Sequence, residues 1–365
     1  MNVLIINPIV YTSESKIIKK VRSIKDSMIY DLCLAFHNEG HNVVLYAADV
    51  YQPTEYEKYP FSVVWDKCFV PDIFQPHRMP FLSGIYGYIK KNRDKFDLII
   101  SGEVFSVNSL LAYFACRDKL IVWHELAMHN NLMKKIPSKT WYNIVVKLFM
   151  RDVRVVARSE EARMFISNYC ANVSNTVIDH GVNLEKFQCS NDKKNIFVVA
   201  SQLIDRKRIE GILVKFAQYL EKYNRNTVLY IAGEGENALP LKALSENLGI
   251  DKNVRFLGKV DHSQLQPLLA SAYAMLVNTV KDNSMISIVE SIAVGTPVIT
   301  TSIPLNSRYI RSEKLGIVDD DWDADDMREI VIHCAQYQSN CLNYRRKLST
   351  RYKVEQFVSE AMWNK

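Results

Sequence analysis

The chain has 365 residues, of which 24% are charged and 48% hydrophobic, and its net charge is +6. That is length enough for two domains of ordinary size and the composition of a globular, soluble protein, and the charge is too small to argue for nucleic acid as a partner. Seven cysteines, an odd number with no CxxC spacing, argue against a disulfide framework or a zinc site and fit a reducing compartment.

The opening run "MNVLIINPIV" has no basic region ahead of it and reads as a first strand, not a signal peptide. No stretch reaches the roughly 18 apolar residues of a membrane span, so a cytoplasmic location is expected. After "NVLIINP" comes a helical pattern ending near "CLAFHNEGH", then "NVVLYAA", "DLIIS", "KLIVWHE", "RVVARS" and "NTVIDHG". Each is a short β-branched run closed by polar residues or glycine. Strands of this kind separated by helices imply βαβ units and a parallel sheet. The polar link Gln188–Asn195 interrupts the series, which restarts with "NIFVVAS", "TVLYIAGEGE", "VRFLGKV", "AYAMLVNTV" and "TPVITTS".

The spacing therefore predicts two doubly wound α/β domains, residues 1–188 and 189–349. Ligands of such sheets bind beyond the carboxyl ends of the strands. The expected site is the cleft between two facing sheets. A terminal helix, about 350–365, carries Val354, Phe357, Val358 and Met362 on one face. It either packs back on the first domain or ends the second. The acidic run at residues 319–326 reads as a solvated loop before a helix rather than a metal site.

The stretch "DNSMISIVESIAVGTPV" sets Asp282 and Glu290 eight residues apart. Asn283 or Ser284 is expected to cap a helix with Ile288, Ile292 and Ala293 on its apolar face, and Gly295 and Pro297 to stop it. The unsatisfied amides of a first helical turn suit phosphate. The alternative is an acid that favours the helix dipole, followed by a surface glutamate. Lys207 follows the strand "NIFVVAS", where an anion could meet it, and Gly233 and Gly235 close the next strand.

In this order and spacing, "ASQLIDRKR", "AGEGE", "VRFLGKV" and "DNSMISIVESIAVGTPVIT" resemble the second domain of the family-4 retaining glycosyltransferases of the GT-B fold. "MIYDLCLAFHNEGHNVVLYA", "VVARSEEARMFI" and "VIDHGVNLEKF" resemble segments of their first domain, so the likeness spans nearly the whole chain. The resemblance implies two Rossmann-like domains, an acceptor side at residues 1–188 and a nucleotide-sugar side at 189–349. It places Lys207 on the family's diphosphate-binding lysine and Glu290 on the glutamate that holds the ribose hydroxyls. Asp282 falls on the first acid of the E-x7-E pair, which faces the transferred sugar. Asn283, Ser284, Met285 and Ile286 fall where backbone amides cradle sugar and phosphate. His124 falls on a histidine near the reacting carbon in some members; the alternative is a structural histidine ending a strand.

The chain departs from that pattern at several points. Gln202 replaces the phosphate-binding arginine, and Ser201 the glycine before it. Arg208 stands for the glycine after the lysine, and Asn283-Ser284-Met285 for "GFG". "YTSESKIIKKVRSIK" stands where a Gly-rich loop is usual. Arg206 or Arg208 is a candidate to replace the lost charge.

The implied reaction moves a sugar from a nucleotide-sugar donor to a hydroxyl, with neither metal nor other cofactor. Fixed positive potential on the leaving diphosphate is the main lever. From Leu126 to Arg151 the chain has five basic residues and no acid, with Trp141, Ile144, Val145, Leu148 and Phe149 at helical spacing. Such a segment either lies on an anionic membrane or packs on a core with a solvated basic edge. A second basic stretch is Lys16–Lys25. The membrane reading makes the acceptor a saccharide or lipid-linked saccharide at the membrane face. An inactive GT-B partner-binding subunit and a nucleotide-sugar epimerase are the rival readings.

Overall fold

The computed structural model describes residues 1–10, 21–69, 80–127, 135–282 and 284–362. The chain forms two compact units, Met1–Asn183 with Thr350–Lys365, and Leu184–Ser349. The division falls ahead of the Gln188–Asn195 link, and the terminal helix groups with the first unit.

In unit 1 the strands are β1 (Asn2–Ile6), β2 (Asn42–Ala48), β3 (Ser62–Asp66), β4 (Cys68–Phe69), β5 (Phe81–Leu82), β6 (Leu98–Gly102), β7 (Leu120–His124), β8 (Arg154–Ala157) and β9 (Val173–Val177). Seven form one parallel sheet in the order β3-β2-β1-β6-β7-β8-β9, and β4 pairs antiparallel with β5. Residues Val3–Ile6 and Leu120–His124 are buried throughout. That is why these strands read as continuous apolar runs instead of alternating ones. Helices begin where the local chemistry supplies a cap: Ser27 Oγ accepts from Tyr30 N, and Ser159 Oγ accepts from Ala162 N.

The helix Thr350–Met362 lays Val354 and Phe357 into the core of unit 1, with the Phe357 ring 5.4 Å from Trp123 and 6.2 Å from Phe36. Met362, expected on the same face, is exposed. Two charged pins hold the helix. Lys353 pairs with Asp179, and Glu360 takes bonds from Arg154 (2.6 Å) and Ser174 (2.7 Å). Gly181 is there for space: a Cβ would sit 2.8 Å from the backbone of Thr350.

In unit 2 the strands are β10 (Ile196–Ala200), β11 (Val228–Ala232), β12 (Val254–Gly258), β13 (Ala274–Leu276), β14 (Val298–Thr300) and β15 (Gly316–Val318). All pair in parallel, in the order β12-β11-β10-β13-β14-β15. This is the doubly wound order, and its direction reverses between β10 and β13, as it does between β1 and β6 in unit 1. Ligands of such sheets enter at these two points. The acidic run starts a helix: Asp323 accepts from the amides of Asp325 (2.7 Å) and Asp326 (3.3 Å) at the head of Ala324–Ile332.

Candidate donor site at the switch point of unit 2

The loop after β10 and the loop after β11 run in contact. Leu203 N donates to Glu234 O at 2.9 Å, and Asn237 N to Leu203 O at 3.0 Å. A Cβ on Gly233 would lie 1.8 Å from Ser201 O, and one on Gly235 2.2 Å from Leu203 O. Both glycines thus serve the close approach of two backbones, and Gly233 also has φ +146°.

The chain then makes one turn, Asp205–Lys207, and passes through Arg208 at φ 48° into the helix Ile209–Lys222. This left-handed residue is the one the resemblance aligns with a glycine. The turn brings Lys207 against the loop after β13. Its side chain is buried, and its Nζ bonds Oδ2 of Asp282. Arg206 Nη1 lies 3.2 Å from the same oxygen and donates to Lys281 O at 3.1 Å, while Nη2 donates to Gln202 Oε1 at 3.4 Å. Buried Thr279 fixes this loop, with Oγ1 3.0 Å from Arg206 O and 3.2 Å from Asp282 Oδ2. Two cations therefore share one carboxylate, which leaves a local charge of +1. Of the two arginines offered for the missing charge, Arg206 is the one beside Gln202. The pairing also explains how Lys207 tolerates burial, because an unpaired buried ammonium is costly.

The helix Ile286–Ala293 follows directly. Asn283 lies outside the described residues. The N-cap is Met285, so the cap expected at Asn283 or Ser284 is displaced. The Met285 amide, expected to cradle sugar and phosphate, is already committed: it donates to Asn306 Oδ1 at 2.6 Å. Asn306 is fully buried, and its Nδ2 donates to Ser284 Oγ at 3.2 Å. Sequence reasoning missed Asn306, which lies in a separate loop after β14. Ile286 is partly exposed at the helix start, where amides have no intrahelical acceptor. Glu290 is buried, which removes the surface-glutamate alternative. Gly295, at φ +82°, ends the segment.

Lys207, Asp282 and Glu290 thus belong to two adjacent connections at the reversal of one sheet. His124 belongs to unit 1. It ends β7, is fully buried, stacks on Phe165 at 6.2 Å, and has Nδ1 2.9 Å from Glu103 Oε2. That contact is too far out of line for a hydrogen bond, and neither ring nitrogen has a hydrogen-bond partner among the described residues. Next to it, Glu125 takes a 2.8 Å bond from Arg158, whose guanidinium lies 3.7 Å over the Trp123 ring. Burial raises the Glu125 pKa, but His180 and Arg158 together outweigh it and hold the carboxyl well below the usual range.

Residues 183–351 match the family described as Glycosyl transferases group 1. The chain is 23% identical over 305 residues to alpha-monoglucosyldiacylglycerol synthase of Streptococcus pneumoniae, covering 76% of this chain and 68% of that protein. It is 28% identical to lipopolysaccharide glucosyltransferase WaaG of Escherichia coli, over 35% of this chain and 33% of that one. In fold it is similar to Anabaena Alr3699/HepE, solved in complex with UDP, with a TM-score of 0.67 at 13% identity and full coverage of both chains. The family match thus covers the second unit, residues 183–351, which belong to the group 1 glycosyltransferases, and the fold match runs the whole length of the chain, which has the α/β fold of the GT-B type.

Proposed function

We propose that the protein transfers a sugar, with retention at the anomeric carbon, from a nucleotide-diphosphate donor to a hydroxyl acceptor during assembly of a cell-surface polysaccharide or glycolipid. One observation carries this reading: a buried lysine held on Asp282 at the switch point of unit 2, one connection away from a helix start that carries buried Glu290. The sugar-transfer activities of the relatives support it, as does the UDP complex of the similar fold.

In this reading Lys207 and the amides of Ser284 and Ile286 meet the diphosphate, with no metal or other cofactor. Gln202 keeps Arg206 at the phosphate side, and Glu290 accepts from the ribose hydroxyls. Asp282 neutralises Lys207 until the donor arrives. The phosphate then takes over the lysine, and the carboxylate turns to the sugar. The leaving oxygen gains negative charge as the anomeric bond breaks, and the two fixed cations stabilise it.

Incubation with UDP-glucose, UDP-galactose, UDP-N-acetylglucosamine and GDP-mannose tests this, with products read by NMR. An α-linked product from an α-linked donor supports the proposal. Free isomerised sugar without acceptor means an epimerase, and failure to bind any of the nucleotides means an inactive subunit.

The two acids are expected to separate. Glu290→Gln removes a charge-assisted acceptor worth roughly 1.5–3 kcal/mol, so UDP or GDP should bind about 10- to 100-fold more weakly. Asp282→Asn removes the anion that competes for Lys207, so the nucleotide should bind as well or better while transfer falls. Calorimetry showing the reverse pattern would overturn these roles.

The acceptor side also has an observation behind it. The helix Ile136–Thr140 continues as a π-helical stretch, Trp141–Met150. Trp141 turns inward and donates to Val104 O at 2.9 Å. Ile136, Ile144, Leu148 and Phe149 are exposed, with Phe114 beside Phe149, and so are Lys135, Lys139, Lys147 and Arg151. The stripe read from sequence is thus split: Trp141 packs, Val145 is half-buried, and Ile144, Leu148 and Phe149 face outward. Residues 128–134 of this segment and 16–20 of the second basic stretch lie outside the described residues.

No described helix is long and apolar enough to cross a membrane. An apolar, basic face of this kind suits the surface of an anionic bilayer, where a lipid-linked acceptor would be met. The protein should sediment with phosphatidylglycerol vesicles and less so as salt rises, since exposed charges are screened within roughly 10 Å at 0.1 M. Leu148→Glu, at an exposed position, should cut that binding about tenfold or more, the scale of one leucine kept from burial. Equal sedimentation with neutral phosphatidylcholine vesicles would contradict it.

A further inference from the structure

The geometry of unit 1 assigns Glu103, and not His124, as the side chain that binds the acceptor hydroxyl. This rests on the glycosyl-transfer reading and adds the acceptor contact to it. Glu103 follows the last residue of β6, at the reversal of strand order between β1 and β6. That is where a ligand of this sheet is expected. Its φ is 68°, a left-handed conformation that glycine, asparagine or aspartate adopts far more readily than glutamate.

The carboxylate turns toward the end of β7. Oε1 accepts from Glu125 N at 2.9 Å and Oε2 from Leu126 N at 3.4 Å, with His124 Nδ1 2.9 Å from Oε2. His124 is fully buried, whereas the Glu103 side chain keeps 25% exposure. A substrate therefore reaches the glutamate first, and the histidine backs it. A carboxylate has about four acceptor positions. The two amide donors leave the exposed edge with capacity for a hydroxyl.

Pinning residues 125 and 126 explains the two amide bonds. It does not explain the strained backbone, or the ring nitrogen Nε2 of His124 and the hydroxyl of Tyr142 in the same cluster, both buried without a hydrogen-bond partner among the described residues. Costs of this kind gather at functional sites. The ligand class is a neutral hydroxyl compound, which would donate its proton into the carboxylate and so aim an oxygen lone pair outward. A phosphate or carboxylate would be repelled.

The test uses the whole protein with the same four nucleotide-sugars, and with water and glycerol as minimal acceptors. Glu103→Gln keeps the shape and, through its carbonyl oxygen, the 2.9 Å bond from Glu125 N, but loses the charge and the weaker 3.4 Å bond from Leu126 N. Transfer to glycerol and donor hydrolysis should fall about 10- to 100-fold, the range for a hydrogen bond to a charged group. The dissociation constant for the nucleotide of the active donor should stay within about twofold. Glu103→Asp, which suits the left-handed backbone, should recover part of the rate with a raised KM for glycerol.

Transfer by Glu103→Gln within about threefold of wild type would overturn the assignment. So would nucleotide binding lost in step with transfer, which marks a structural role. If Glu103→Gln does not fold, Glu103→Asp decides alone: an unchanged KM for glycerol contradicts the assignment. Wild-type protein that turns over none of the four donors would instead contradict the transfer reading itself.

Discussion

Lys207→Ala is expected to lower sugar transfer by about 10²–10³-fold, the scale seen when one preorganised electrostatic group is removed from an active site. The lysine is buried and paired with Asp282, so its ammonium is fixed before any donor arrives. It reorganises little as the diphosphate gains charge. Arg206 stays 3.2 Å from Asp282 in the variant, so the carboxylate is not left alone and the unit should still fold. Free nucleoside has no phosphate to lose contact with and should bind the variant nearly as before. Gln202→Arg completes the test. Nη2 of Arg206 already lies 3.4 Å from Gln202 Oε1, so the missing positive charge is present from another position. A second guanidinium there adds repulsion, and nucleoside-diphosphate binding should show no gain. A large gain would mean that Arg206 does not face the phosphate.

Gly233→Ala should have the largest effect on stability among single-methyl additions near the site, about 3–5 kcal/mol from overpacking and backbone strain together. The added carbon would lie 1.8 Å from Ser201 O, a backbone atom that cannot rotate away, and φ +146° is a conformation nearly confined to glycine. Relief requires the loop after β10 to move, and that loop leads straight to Arg206 and Lys207. Thermal melting should therefore drop, and nucleotide binding should weaken even in molecules that remain folded. Gly40 is a control. It also has positive φ, +78°, but a Cβ there would meet nothing within 4 Å, so Gly40→Ala should cost only the backbone term, about 1 kcal/mol.

The order of elements was legible because doubly wound sheets bury both faces of their central strands, so each strand appears as a short apolar run. The positions of Lys207, Asp282 and Glu290 were legible because each lies at a strand end or in the helix that follows one, within two short stretches of sequence. What lay outside local reach was anything set by side chains from distant loops. Asn306 takes the Met285 amide from a loop after β14, and no spacing near residue 285 hints at it. Arg206 and Arg208 are equivalent on paper. Only the left-handed turn at Arg208 separates them, placing Arg206 beside Gln202. Glu103 carries no motif; its left-handed backbone and its contact with His124 emerge only when β6 and β7 pair. Trp141 fits the outward stripe by periodicity, but its indole has a partner inside, at Val104 O, and that partly buried hydrogen bond outranks helical spacing.

The most direct measurement is calorimetric titration of the wild-type protein and of Glu290→Gln with UDP and GDP, each beside the corresponding free nucleoside. The wild type should bind one nucleoside diphosphate much more tightly than its nucleoside, and Glu290→Gln should weaken both ligands by a similar factor, since the ribose is common to both. Binding of neither diphosphate by the wild type, or identical affinities for wild type and Glu290→Gln, would contradict the placement of a nucleotide-sugar site at Lys207, Asp282 and Glu290.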